Sequence, residues 1–146
     1  MSEWLRLIIF VTFGLFIGII DFKIQKIPDI LLLIMLGLLL CVDSFGNFNM
    51  MPYRLLAGFG SYWMFYAVYR IKGGLGYGDV KYAGVIGYYL GPELIIIGFT
   101  LAVLFGLGYW GLGNLMFRWG KEKRFPFGPW LGCGAAAAGF FHRVMS

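Results

Sequence analysis

Apolar residues fall in long unbroken blocks along this chain, and polar residues collect in the short interruptions between them. Charges and Gly/Pro breakers mark off six apolar segments, at about 4–20, 30–43, 54–70, 79–91, 93–117 and 127–144. The pattern predicts an all-α integral membrane protein, a single polytopic bundle of six transmembrane helices forming one domain over residues 1–146. The first segment, WLRLIIFVTFGLFIGII, is long, lacks an A-x-A cleavage pattern and runs straight into Asp21. It is expected to be a retained span, not a cleaved signal.

Composition supports this reading. The chain is 60% hydrophobic and 13% charged, whereas a soluble domain is about half apolar and a quarter charged. The net charge of +5 comes from basic residues in short loops beside apolar segments. That placement suits membrane lipid and argues against nucleic acid as a partner. Cys41 and Cys133 lie in apolar segments and form no CxxC pair, so packing is expected of them, not a disulfide or a metal site. His142 stands alone, and neither a metal nor a cofactor is expected.

Segment 79–91 spans only about 20 Å as a helix, against a hydrocarbon core of about 30 Å. It is either a short fourth helix or a re-entrant piece in a five-span protein. Charge bias decides. With six spans, Lys23, Lys26, Arg70, Lys72, Lys81, Arg118, Lys121, Lys123 and Arg124 share one side, while Arg6, Arg54 and Arg143 share the other. Five spans would split the same residues evenly. Six spans place both termini outside the cytoplasm and loops 22–29, 71–78 and 118–126 inside it. Small residues four apart, at Gly14/Gly18, Gly87/Gly91, Gly98/Ala102/Gly106 and Gly128/Gly132/Ala136, predict close helix packing.

In this topology Asp21 ends the first helix and Asp79 opens the short fourth one, both at the cytoplasmic edge. The Gly-rich stretch GGLGYG before Asp79 is expected to lie below the surface, where irregular backbone survives only against protein or a watery cavity. Two carboxyls converging there would share one proton. The ionised member would activate water, and the protonated member would polarise a peptide carbonyl. From spacing alone other readings stay open. Asp79 would serve equally as an N-cap, Asp21 as a partner of Lys23 or Lys26, and the two acids together as a cation or proton site of a small transporter or channel component.

Three stretches at these positions resemble the type IV prepilin peptidases, intramembrane aspartyl proteases of the GxGD group. IIDFKIQKIPD is similar to the family's first motif, GYGDVK to its GxGDxK motif, and FPFGPWLG to the stretch that opens its last helix. The resemblance implies that Asp21 and Asp79 are the catalytic dyad, flanked by the motif glycines Gly76 and Gly78. It also implies a turn into helix two shaped by Pro28 and Asp29, with Asp29 expected to cap that helix. Lys81 fills the motif lysine position, with lipid, substrate or a nearby carboxylate as its possible partner. Pro126, Phe127, Gly128 and Pro129 are expected to set the entry of the last helix. The implied activity is removal of the short basic leader from prepilin, pseudopilin or preflagellin precursors at the cytoplasmic face of the inner membrane. Long bacterial members carry an N-terminal domain with paired CxxC motifs and can methylate the product; without such a pair, peptidase activity alone is expected here.

Overall fold

The computed structural model describes residues 2–24, 26–72, 76–117 and 128–145. Those residues form helices and short connections without a strand. Helix α1 spans Ser2–Ile24, α2 Asp29–Gly46, α3 Met51–Lys72, α4 Tyr77–Phe117 and α5 Gly128–Met145, with a single 3₁₀ turn, Phe48–Met50, between α2 and α3. The six apolar segments of the sequence map onto these elements, the fourth and fifth being two helical stretches of α4 that meet at a kink at Gly91.

The break has a local cause. Gly91 has φ 75° and ψ 176°, a backbone region that is essentially restricted to glycine. Pro92 follows, lacks an N–H, and cannot donate to the carbonyl four residues back. The chain fills part of that gap from α1: Arg6 Nη2 donates to the Tyr89 carbonyl at 2.9 Å and approaches the Tyr88 carbonyl at 3.5 Å. A guanidinium at the C-terminal end of a helical segment also suits its dipole.

The first half of α4 runs through the middle of the bundle. Val80, Tyr82, Ala83, Ile86, Tyr88 and Tyr89 are all buried, so this half is enclosed on nearly every side. A helix with apolar residues all round belongs in such a place. Its shortness, awkward for a helix facing lipid, follows from packing against α3, α5 and α2. By contrast α1 and α2 turn many large apolar side chains outward, among them Ile8, Leu15, Phe16, Ile30 and Leu33.

Among the described residues three helices, α1, α2 and α4, are long and apolar enough to cross a membrane. The charged and aromatic residues of α3 and the Gly/Ala composition of α5 lower the hydropathy of those two. Part of the small-residue pattern packs helices as expected: a Cβ on Gly87 of α4 would run into Ser61 and the Ala57 carbonyl of α3. A Cβ on Gly134 of α5 would run into the backbone of Ala102 and Gly98 in α4, and one on Gly58 of α3 would stand 3.0 Å from the Gly84 carbonyl oxygen. The expectation for the cysteines is corrected: Cys41 and Cys133 are free thiols on exposed helix faces and fill no core. Residues 118–127, with Pro126 and Phe127, lie outside the described residues.

Candidate functional site

The three stretches singled out in the sequence meet around one side chain, Ile27. It lies in the non-helical connection between α1 and α2 and is buried. A Cβ on Gly78 of α4 would stand 3.1 Å from Ile27 Cβ, and one on Gly128 of α5 would stand 3.2 Å from Ile27 Cδ1. Both glycines therefore leave room for the same residue, and any larger side chain at either position would push the connection away.

Asp21 sits in the last turn of α1 and is 5% exposed. Its Oδ2 would lie 2.9 Å from a Cβ at Gly128, so the start of α5 closes over the carboxyl. Pro129 of α5 packs against Gly18, one turn before Asp21. Gly128 and Pro129 thus fix how α5 enters the bundle, as expected of them.

Asp79 is partly buried in the first turn of α4. The capping reading is corrected here. The helix begins at Tyr77, and the Asp79 backbone N–H donates to the Gly76 carbonyl at 3.1 Å. Asp79 therefore stands at the third helical position, and Gly76 holds the cap position.

Lys81 is tied to a carboxylate: its Nζ donates to Asp29 Oδ2 at 2.7 Å and stands 4.9 Å from the centre of the Tyr77 ring. This link also corrects the expectation for Asp29. Pro28 holds the N-cap position of α2 with extended backbone (φ −71°, ψ 123°), no side chain caps the helix, and Asp29 reaches across to α4 instead. Tyr77 and Tyr62 share a hydroxyl–hydroxyl bond of 2.9 Å, joining the start of α4 to α3. An apolar hollow of about 440 Å³ lies between α2, α3 and α4, lined by Asp29 and Lys81 together with Leu36, Phe59, Tyr62 and Val85.

Two features were not legible in the sequence. Tyr82, one turn beyond Asp79, is fully buried, with its hydroxyl between Gly14 of α1 and Gly132 of α5; the four-residue glycine spacing was its only trace. At the far end of the bundle Asp43, wholly buried, accepts from Arg54 at 2.7 Å and Tyr88 at 2.6 Å and pairs with Arg6 Nε at 3.1 Å. Glu3 bridges the outer sides of Arg6, Arg54 and Arg143. The signal was an acid embedded in apolar sequence, LLLCVDSFG, read as the end of a segment. A hollow of about 640 Å³ adjoins this network beside Gly91, lined by Arg6, Arg54 and Arg143 against Glu3 and Glu93.

Comparison with known proteins shows what this chain is similar to. A family model for the type IV leader peptidase family matches residues 8–111. The chain is 32% identical over 133 residues to a prepilin leader peptidase/N-methyltransferase of Burkholderia pseudomallei, covering 84% of this chain and 41% of that protein. It is 33% identical over 135 residues to the corresponding Escherichia coli K12 protein, covering 88% and 60%. It is 35% identical over 148 residues to the leader peptidase HopD of Salmonella typhimurium, covering 92% and 88%. The chain thus spans about two-fifths to three-fifths of the first two relatives and most of the third. No solved structure matches.

Proposed function

The chain belongs to the type IV leader peptidase family, and on that premise we propose that it is an intramembrane aspartic endopeptidase that removes the leader of type IV prepilin-like precursors, with Asp21 and Asp79 as its catalytic pair. The observation that carries this reading is the meeting of three distant stretches around Ile27, with Asp21 under Gly128 and Asp79 beside Gly78.

The chemistry follows from two carboxyls sharing one proton. The ionised carboxylate takes a proton from water as its oxygen attacks the scissile carbonyl. The protonated partner donates to the carbonyl oxygen, so the tetrahedral intermediate is neutral. When the C–N bond breaks, the departing amine takes a proton from the pair while a hydroxyl of the intermediate returns one to it, which leaves a carboxylic acid product and restores the shared-proton state. Burial of Asp21 keeps one member dry, and partial exposure of Asp79 leaves a path for water.

We place the acids at the cytoplasmic face of the inner membrane. The bent α4 serves as two spans, giving six in all, both termini outside the cytoplasm, and the nine-to-three charge bias. A precursor helix would remain in lipid while its leader junction reaches the acids. The Lys81–Asp29 bridge holds the start of α2 against α4 beside that entry, and Gly76 supplies the carbonyl that sets the first turn.

Co-expression with a candidate precursor tests the assignment. Asp21→Asn and Asp79→Asn should each abolish loss of the leader on a gel, and chelators should have no effect on the wild type. A precursor left intact by the wild-type protein, together with acid-dependent ion flux, would replace the protease with a transporter.

A further inference from the structure

Tyr82 lies three residues after Asp79 on α4, so the two residues share a face of that helix. The Tyr82 side chain is 1% exposed, and its hydroxyl makes no hydrogen bond to the described residues. Buried tyrosine hydroxyls ordinarily have a partner, and phenylalanine would fill this place without the polar atom. The neighbouring helices are nevertheless shaped to admit it. A Cβ on Gly132 of α5 would stand 2.6 Å from the hydroxyl oxygen but 3.7 Å from the next ring atom, and a Cβ on Gly14 of α1 would stand 3.4 Å from the oxygen. The hydroxyl, not the ring, requires glycine at 132.

Its position relative to Asp21 can be read from α5. Gly128 faces Asp21 Oδ2 and Gly132 faces the Tyr82 hydroxyl. Those two positions are one helical turn apart, about 6 Å along the axis. Two hydrogen bonds in series through a single water span about 5.6 Å. Asp79 stands one turn back on Tyr82's own helix.

We propose that Tyr82 is a positioning residue for the catalytic acids: its hydroxyl donates to a water that in turn donates to the Asp21 carboxylate from the buried side of the site. The bridge holds the carboxyl in one orientation and favours its ionised form, and no proton is transferred along it. The inference rests on the assignment of Asp21 to the dyad.

The test is a pH–rate profile of the purified full-length chain in lipid nanodiscs, cleaving a candidate precursor. The variants are Tyr82→Phe, Tyr82→Phe/Gly132→Ala, Asp21→Asn and Asp79→Asn. Tyr82→Phe should lower kcat about tenfold with KM unchanged, and should move the acid limb to higher pH. The sign follows because a carboxylate deprived of a donor protonates more readily, so activity is lost sooner as pH falls. The double variant refills the space of the hydroxyl without restoring the donor, and should keep the shifted limb even if Tyr82→Phe alone packs poorly. A wild-type profile in either variant, with both asparagine variants inactive, overturns the Tyr82 proposal and leaves the dyad standing. Cleavage by Asp21→Asn overturns the dyad and this inference with it.

Discussion

Lys81 and Asp29 are 52 residues apart in sequence and 2.7 Å apart in the fold. Their ion pair ties the second motif stretch to the end of the first and holds α2 against α4 at the level of the candidate acids. The partners keep 34% and 60% of their side-chain surface exposed, so the bond is expected to position more than it stabilises.

That balance gives a first prediction. Lys81→Met and Asp29→Asn should each slow precursor cleavage severalfold, and the double variant should be no slower than the worse single one. Thermal unfolding in detergent should show a coupling of less than about 1 kcal/mol, the range for exposed pairs. Additive losses of activity would mean that the two residues act separately.

Asp43 presents the opposite case. It is wholly buried and answers Arg6, Arg54 and Tyr88 at once. Asp43→Ala would leave Arg6, itself 1% exposed, without its buried counter-ion. A loss of about 3–5 kcal/mol is expected, read as a large fall in the detergent or denaturant midpoint. Cleavage per folded molecule should be little changed, because the network meets α4 at Tyr88 and Tyr89, nearly three turns from Asp79.

Gly91 separates backbone strain from crowding. A Cβ there would meet only Arg54 Cγ at 3.6 Å, an ordinary contact, but the backbone has φ 75°. Gly91→Ala should therefore cost about 1–3 kcal/mol through conformation alone. At Gly108, inside the helical second half of α4, a Cβ meets nothing within 4 Å. Gly108→Ala should be neutral or stabilising by about 0.5–1 kcal/mol. Unfolding midpoints of the two variants, measured side by side, check the contrast.

Gly132 and Tyr82 form a double-mutant cycle. Gly132→Ala places a methyl 2.6 Å from the buried hydroxyl oxygen and should cost about 1–3 kcal/mol. In a Tyr82→Phe background the same change should cost almost nothing. Additivity in the cycle would show that Gly132 is needed for another reason.

Much of this fold was legible in advance because hydrophobic periodicity and breakers are local. The limits of α1, α2, α3 and α5 follow from charges and Gly/Pro positions, and even the break in α4 was marked by the Gly91–Pro92 pair. What local signals could not show was how this break is held. Whether a Gly-Pro step opens a loop or merely turns a helix depends on what satisfies the exposed carbonyls, and here Arg6 reaches them from 82 and 83 residues away.

The candidate site divides in the same way. Asp21, Asp79, Lys81 and the motif glycines stood out by residue type and spacing, since carboxyls and glycine runs are conspicuous in apolar sequence. Tyr82 did not, because a tyrosine in a helix looks the same whether its hydroxyl faces lipid or a buried site. Asp43 was mistaken for a segment end because its cationic partners come from α1 and α3.

By itself the sequence determined that the chain is helical and apolar, where its helices break, and which few polar residues are candidates for chemistry. Only the tertiary structure decided which of those residues touch: Ile27 between Gly78 and Gly128, Lys81 on Asp29, and Arg6 on Asp43. The physical reason is that a helix and its ends are set by interactions within a few residues. Pairing across helices is set by which faces can approach, and that depends on small residues and side-chain shapes far apart in the chain.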